Sequence, residues 1–188
     1  MTAALISDAY RDLNAEMHED PDFGARAHHH AEMVAELCRV NGFTTVLDYG
    51  CGKGTLKLAL ARLAPDVTVA EYDPAIPEKS ADPDAAQLVV SLDVFEHIEP
   101  DSLDHVLQHI AAKATTAVLA FISLQEAGRT LPDGRNAHLI VENESWWAAK
   151  LTPYFKPLSV RTLETEKKDK TERHLLYIGR TLARPASP

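Results

Sequence analysis

Three glycines at alternate positions, Gly50, Gly52 and Gly54, follow the run Thr44-Thr45-Val46-Leu47 and precede the amphipathic stretch Thr55 to Leu63. A short buried strand, a glycine turn and then a helix constrain the fold more than any other feature of the chain. Glycine tolerates positive φ and lets backbone N–H groups approach an elongated ligand closely. Three cofactor classes use such a turn, and spacing separates them. The dinucleotide fingerprint G-x-G-x-x-G needs a third glycine where this chain has Thr55. The phosphate loop G-x-x-x-x-G-K-[ST] fails too, because Leu47 stands at its first glycine and Gly54 follows Lys53. What remains is an acid, Asp48, one residue ahead of G-x-G-x-G.

The elements around this turn alternate. Leu5, Ile6, Ala9, Leu13 and Met17 repeat at helical spacing across 2–20, and a second helical pattern covers 25–40 before Asn41-Gly42. Strands are predicted at 44–48, 67–72, 88–92 and 117–122, with helices at 55–63 and 100–112 between them. The segment 74–86 holds several prolines and charges and reads as loop. After a polar loop to Asn136 come a helix at 144–151 and a hairpin, 158–164 with 175–182. Strands alternating with helices imply an α/β, doubly wound, mostly parallel sheet covered on both faces. The closing hairpin implies one antiparallel edge strand. No repeat or linker divides the chain, so one domain over 1–188 is expected, with 1–42 a helical cap and 43–188 the core.

Charge and cysteine usage narrow the class. The net charge of −9 and the dispersed lysines and arginines argue against a nucleic-acid partner. The cluster Lys167-Lys168-Asp169-Lys170 contains an acid between two strands and reads as a solvated turn, and His28-His29-His30 as helix surface. No apolar run reaches the length of a membrane span, and Met1 to Asn14 carries Asp8, Arg11 and Asp12, unlike a signal peptide. Cys38 and Cys51 cannot build a disulfide framework, which makes a reducing, cytoplasmic setting the expectation.

Asp48, the three glycines and the acid Asp73 closing the second strand together resemble the class I, Rossmann-like S-adenosylmethionine-dependent methyltransferases. The wording Leu-Asp-Tyr-Gly-Cys-Gly-Lys-Gly-Thr-Leu and Pro-Asp-Gly-Arg-Asn-Ala-His-Leu is similar to small phage and bacterial members, over about 8–164. The resemblance implies cofactor contacts from Asp48, Gly50, Cys51, Gly52 and Gly54. It implies ribose contacts from Asp73, with Glu71 the runner-up, and places Asp93 at the methyl-donor end. A carboxylate accepting one bond from each ribose hydroxyl is sound chemistry. One departure is that a helix and edge strand of the family are absent after the second strand. The adenine contact is therefore left open among Asp82, Asp84 and a backbone group.

The third strand runs into Asp93-Val94-Phe95-Glu96-His97. If the chain turns helical there, Asp93, Glu96 and His97 fall at i, i+3 and i+4 on one face. Such a face suits a general base with an orienting partner, or a divalent ion. His138, after the last parallel strand, is a further candidate. The constellation resembles metal-assisted O-methyltransferases, those of ubiquinone biosynthesis and those acting on RNA 3′-terminal 2′-hydroxyls. That resemblance would make Asp93, Glu96, His97 and His138 ligands of Mg²⁺ or a similar ion, whereas the plain reading makes Asp93, His97 and His138 catalytic without one. Of Trp146 and Trp147, one is expected in the core and one facing the substrate cleft, with burial of both the alternative. Arg135 and Asn136 read as loop anchors or substrate contacts, and Tyr10, Asn14 and His18 as part of a cap. The expected activity is methyl transfer to an oxygen of a small-molecule or glycan-like acceptor. The alternatives are a metal-dependent RNA 2′-O-methyltransferase-like enzyme and a non-catalytic cofactor-binding module. A nicotinamide oxidoreductase is disfavoured by Thr55.

Overall fold

The run ahead of the glycines forms strand β1 (Thr45–Tyr49), buried from Val46 onward, in a computed structural model that describes residues 4–167 and 170–182. Residues 1–3, the start of the segment read as unlike a signal peptide, and 168–169, inside the charged turn, lie outside the described residues.

Ser7 sets the start of α1 (Asp8–Met17), because its Oγ accepts the Tyr10 N–H at 3.2 Å and donates to Glu99 Oε1 at 2.7 Å. The helix expected over 25–40 is divided. A 3-10 turn, Ala27–His30, leads into α2 (Ala31–Asn41), which Gly42 ends at φ 68°. Helix α3 (Thr55–Leu63) then crosses to β2 (Thr68–Tyr72). The shortened stretch after it contains only the 3-10 turn Pro77–Lys79. Next come β3 (Ala86–Leu92), α4 (Leu103–Lys113), β4 (Ala114–Ser123) and α5 (Glu144–Leu151). The hairpin of β5 (Phe155–Lys167) and β6 (Lys170–Thr181) closes the chain.

The sheet order is β2-β1-β3-β4-β6-β5, with β2, β1, β3 and β4 mutually parallel. Strand β6 runs antiparallel to both β4 and β5. Strand β6 is therefore interior, and β5, paired antiparallel to it, forms the edge. The hairpin inserts its second arm, and that arm carries the apolar residues Leu175 and Tyr177, both fully buried. The first arm keeps Glu164, Thr165 and Glu166 exposed.

Apolar residues alternate between two layers. Leu47, Val89 and Val118 pack with α4 and Trp147, while Val46, Leu88 and Leu119 pack with Val34, Leu56 and Leu60 of α2 and α3. Each such fully buried side chain contributes about 2 kcal/mol. The strand order reverses between β1 and β3, and a ligand crevice is expected at such a reversal, outside the carboxyl ends of the strands. The glycine turn after β1 and Asp93 after β3 are consequently neighbours.

Candidate functional site

Backbone strain and crowding explain the glycines. Gly50, Gly52 and Gly54 adopt φ of 78°, 49° and 73°. A Cβ on Gly50 would lie 2.6 Å from Val94, and one on Gly52 would lie 2.5 Å from the Gly24 carbonyl oxygen. The Gly50 and Cys51 N–H groups donate to the Tyr72 carbonyl at 2.7 and 3.1 Å, and Gly52 N–H donates to Asp73 Oδ2 at 3.0 Å. The second acid of the strand is engaged elsewhere. Glu71 pairs with Lys57 and Lys79 at 3.1 and 3.0 Å, and only Asp73 faces the cavity beside the loop. Asp48 is buried, its Oδ2 has no hydrogen-bond partner, and burial followed by the nearby Glu71 charge pushes its carboxyl up to about 7.

The cavity holds about 750 Å³ and runs from Gly50 and Asp73 past Asp93 to Glu96, His97 and His138. Tyr10, Asn14 and His18 from the N-terminal segment also line it, and Tyr10 Oη donates to the His97 carbonyl at 2.5 Å. The shortened 74–86 stretch is pinned rather than loose. Asp82 accepts from Lys113 at 2.7 Å and pairs with His109 at 2.8 Å, and the other nitrogen of His109 meets the Tyr49 hydroxyl at 2.8 Å. Asp82 and Asp84 do not line the cavity, whereas Pro74 and Ala75 of the same stretch do.

The expected helical face at 93–97 is only partly formed. Asp93 has φ 54°, which breaks the backbone before the 3-10 turn Phe95–His97. Glu96, His97 and His138 each offer a ligand atom within 4.8 Å of the others, and Asp93 is not in this group. Asp93 instead turns toward His30, with 4.0 Å between Oδ2 and Nε2, and burial raises its carboxyl to about 6. Glu96 is fully buried. Its Oε1 accepts the Ser123 N–H at 2.9 Å, its Oε2 has no hydrogen-bond partner, and burial with the Asp93 charge holds it well above the ordinary carboxyl range. His97 Nδ1 donates to the Ala137 carbonyl at 2.8 Å and His138 Nδ1 to the Gln125 carbonyl at 2.5 Å. Those bonds leave the Nε2 lone pair of each ring as its acceptor. Burial and the His138 ring lower His97 to about 4, and burial lowers His138, so both are neutral imidazoles near neutral pH. The arrangement offers two proton acceptors beside a buried carboxyl.

Other sequence expectations resolve differently. Trp147 is fully buried and Trp146 packs at the edge of the same core, and neither reaches the cavity. Asn136 bonds the Ala127 backbone and the His138 N–H, and Arg135 pairs with Asp133 at 2.7 Å, so both anchor the loop. His30, read as helix surface, enters the cavity with Phe23, Phe121 and His174. No sequence spacing connects these four, because the hairpin and the 3-10 turn meet only in the folded chain.

A parallel sheet with one inserted antiparallel strand, and a glycine loop and acid at its switch point, defines a class I, Rossmann-like S-adenosylmethionine-dependent methyltransferase. Residues 10–166 match the methyltransferase-domain family, and the chain belongs to it. The fold is similar to 1,6-didemethyltoxoflavin-N1-methyltransferase from Burkholderia thailandensis, with TM-score 0.67, 18% identity, and coverage of 97% of this chain and 94% of that one. It is also similar to the N-methyltransferase NodS of Bradyrhizobium japonicum, with TM-score 0.61, 13% identity, and coverage of 93% and 99%. Magnesium protoporphyrin IX methyltransferase of Synechocystis has TM-score 0.57, 17% identity, and coverage of 85% and 86%. A comparison with curated proteins finds no match. Among the described residues, no helix is long and apolar enough to cross a membrane.

Proposed function

We propose that the chain methylates a hydroxyl oxygen of a small-molecule or glycan-like acceptor, in a reducing, cytoplasmic setting. The observation that carries this reading is the pair of neutral imidazoles, His97 and His138, each fixed through Nδ1 to a main-chain carbonyl and lining the same cavity as Gly50, Cys51 and Gly52. In this reading Gly50, Cys51, Gly52 and Gly54 pass close to the cofactor. Asp48 balances its ammonium, Asp73 accepts from the ribose hydroxyls, and Asp93 borders the methyl-donor end. An imidazole Nε2 accepts the acceptor's proton as the oxygen attacks the methyl group in line, and the neutral thioether leaves. The neighbours support a small acceptor, since one acts on 1,6-didemethyltoxoflavin and others on magnesium protoporphyrin IX and mitomycin.

Glu96, His97 and His138 fit a divalent ion, because each offers a ligand atom within 4.8 Å of the others and the buried Glu96 Oε2 has no hydrogen-bond partner. Two imidazoles with one carboxylate suit a first-row transition metal better than Mg²⁺. Bound there, the ion would lower the pKa of the acceptor hydroxyl. The test is an acceptor screen that reads S-adenosylhomocysteine release. His97→Ala and His138→Ala are each expected to cut turnover at least about a hundredfold while calorimetry shows cofactor binding retained. Full activity in both variants overturns the assignment.

A further inference from the structure

Between the 3-10 turn Ala27–His30 and the β5–β6 hairpin, the cavity carries a strip of flat rings that the reading above does not use. His30 packs on Phe121 with centroids 4.2 Å apart, and Phe121 stacks on His174 at 4.7 Å and 18°. The strip borders Asp93, through the 4.0 Å approach of His30 Nε2 to Asp93 Oδ2. Burial, then neighbouring charge, lowers His30 to about 4, and burial also lowers His174, so near neutral pH these rings offer faces and hydrogen bonds rather than charge. Charge comes from the rim. Arg26 lines the cavity, its charge acts on Asp93, His30 and His174, and it makes no ion pair among the described residues. Lys167 stands half exposed on the same side, 3.8 Å from Glu172. Arg26 and Lys167 share this rim with the acid Glu172, whose charge also reaches Asp93 and His174.

We propose that this strip is the acceptor subsite and that it selects a planar aromatic acceptor bearing an acidic group. The inference rests on the methyl-transfer reading and names its substrate class. An aromatic ring stacks on Phe121 and the imidazoles in offset or edge geometry. A carboxylate on that ring meets the planar fork of Arg26, which suits bidentate pairing. The ring hydroxyl then lies toward Asp93 and the His97–His138 pair.

The experiment titrates the full chain, loaded with S-adenosylhomocysteine, with protocatechuate, its uncharged amide, and shikimate, an acid of similar size on a non-aromatic ring. Protocatechuate is expected to bind about tenfold tighter than either of the others, a ratio worth about 1.4 kcal/mol. The exposed double variant Arg26→Ala, Lys167→Ala should erase the preference over the amide. Phe121→Leu, which keeps an apolar β4 residue, should erase the preference over shikimate. Equal binding of acid and amide, tighter binding of shikimate, or no binding of any of the three overturns the subsite. Failure of S-adenosylhomocysteine itself to bind would instead sink the underlying methyltransferase site, so the two failures are distinguishable.

Discussion

On the proposed reading, one buried side chain, Asp48, couples cofactor binding to pH. Burial, followed by the nearby Glu71 charge, pushes its carboxyl up to about 7, and a cofactor ammonium held beside it would favour the ionised form. A single group with that pKa changes its ionised fraction about tenfold between about pH 6 and pH 8. S-adenosylmethionine affinity measured by calorimetry should rise by roughly that factor over the window, and Asp48→Asn should flatten the dependence while weakening binding. An unchanged slope in Asp48→Asn would remove the carboxylate from cofactor recognition. Gly52 presents a steric version of the same dependence on surroundings. At φ 49°, with the Gly24 carbonyl 2.5 Å from a new Cβ, Gly52→Ala should lower stability by at least about 1 kcal/mol, or about 2–4 °C in Tm. It should also abolish measurable cofactor binding. Asp48 and the glycines were legible in the sequence because spacing alone ruled out the other loops. The orphan oxygen, and Gly24 as the neighbour that forbids a side chain, were not legible, since both depend on contacts distant in sequence.

Among the elements, the 74–86 segment shows how a sheet can lose an edge strand and still wall a cavity. The chain pins this segment by ion pairs instead of by a β-ladder. Asp82 holds Lys113 and His109 of α4, and His109 holds Tyr49 of β1. Asp82→Ala is expected to raise the KM for S-adenosylmethionine several-fold with kcat little changed, because Pro74 and Ala75 would lose their fixed position in the cavity wall. Steady-state kinetics with saturating acceptor measure this, and a fall in kcat alone would refute a wall-positioning role. The missing strand was visible in the sequence as prolines and charges, but the clasp was not, because Asp82, His109 and Tyr49 come from three separate elements. At the 93–97 turn, periodicity suggested one helical face, whereas the positive φ of Asp93 detaches it from Glu96 and His97. His138 joins that pair through a loop held by Asn136.

Across the whole molecule, buried acids and buried imidazoles act on stability in opposite directions. His30 and His97 titrate at about 4 in the fold, below the ordinary value of 6.5, so between those values the unfolded chain binds more protons and stability rises with pH. Asp93 at about 6 and Asp48 at about 7 are raised from 3.8, so over their windows the folded chain binds more protons and stability falls with pH. His18, His138 and His174 are lowered as well and Glu96 is raised, so both signs act from about pH 4.5 to pH 6, and beyond about pH 6.5 the term from the acids remains. The Tm of the cofactor-free chain should therefore fall from about pH 6.5 toward pH 8, with saturating S-adenosylhomocysteine reducing the fall. A steady rise in Tm from about pH 6 to pH 8 would contradict this balance of buried groups. By itself the sequence determined the alternation of strands and helices, the glycine loop with its spacing, and the acid that ends β2. Those are local properties of periodicity and backbone freedom. Only the tertiary structure decided that β6 lies inside the sheet, that three of the four expected ligand residues converge, and that His30, Phe121 and His174 line one cavity. Such juxtapositions arise where loops from distant strands meet at the switch point, and short-range pattern carries no record of them.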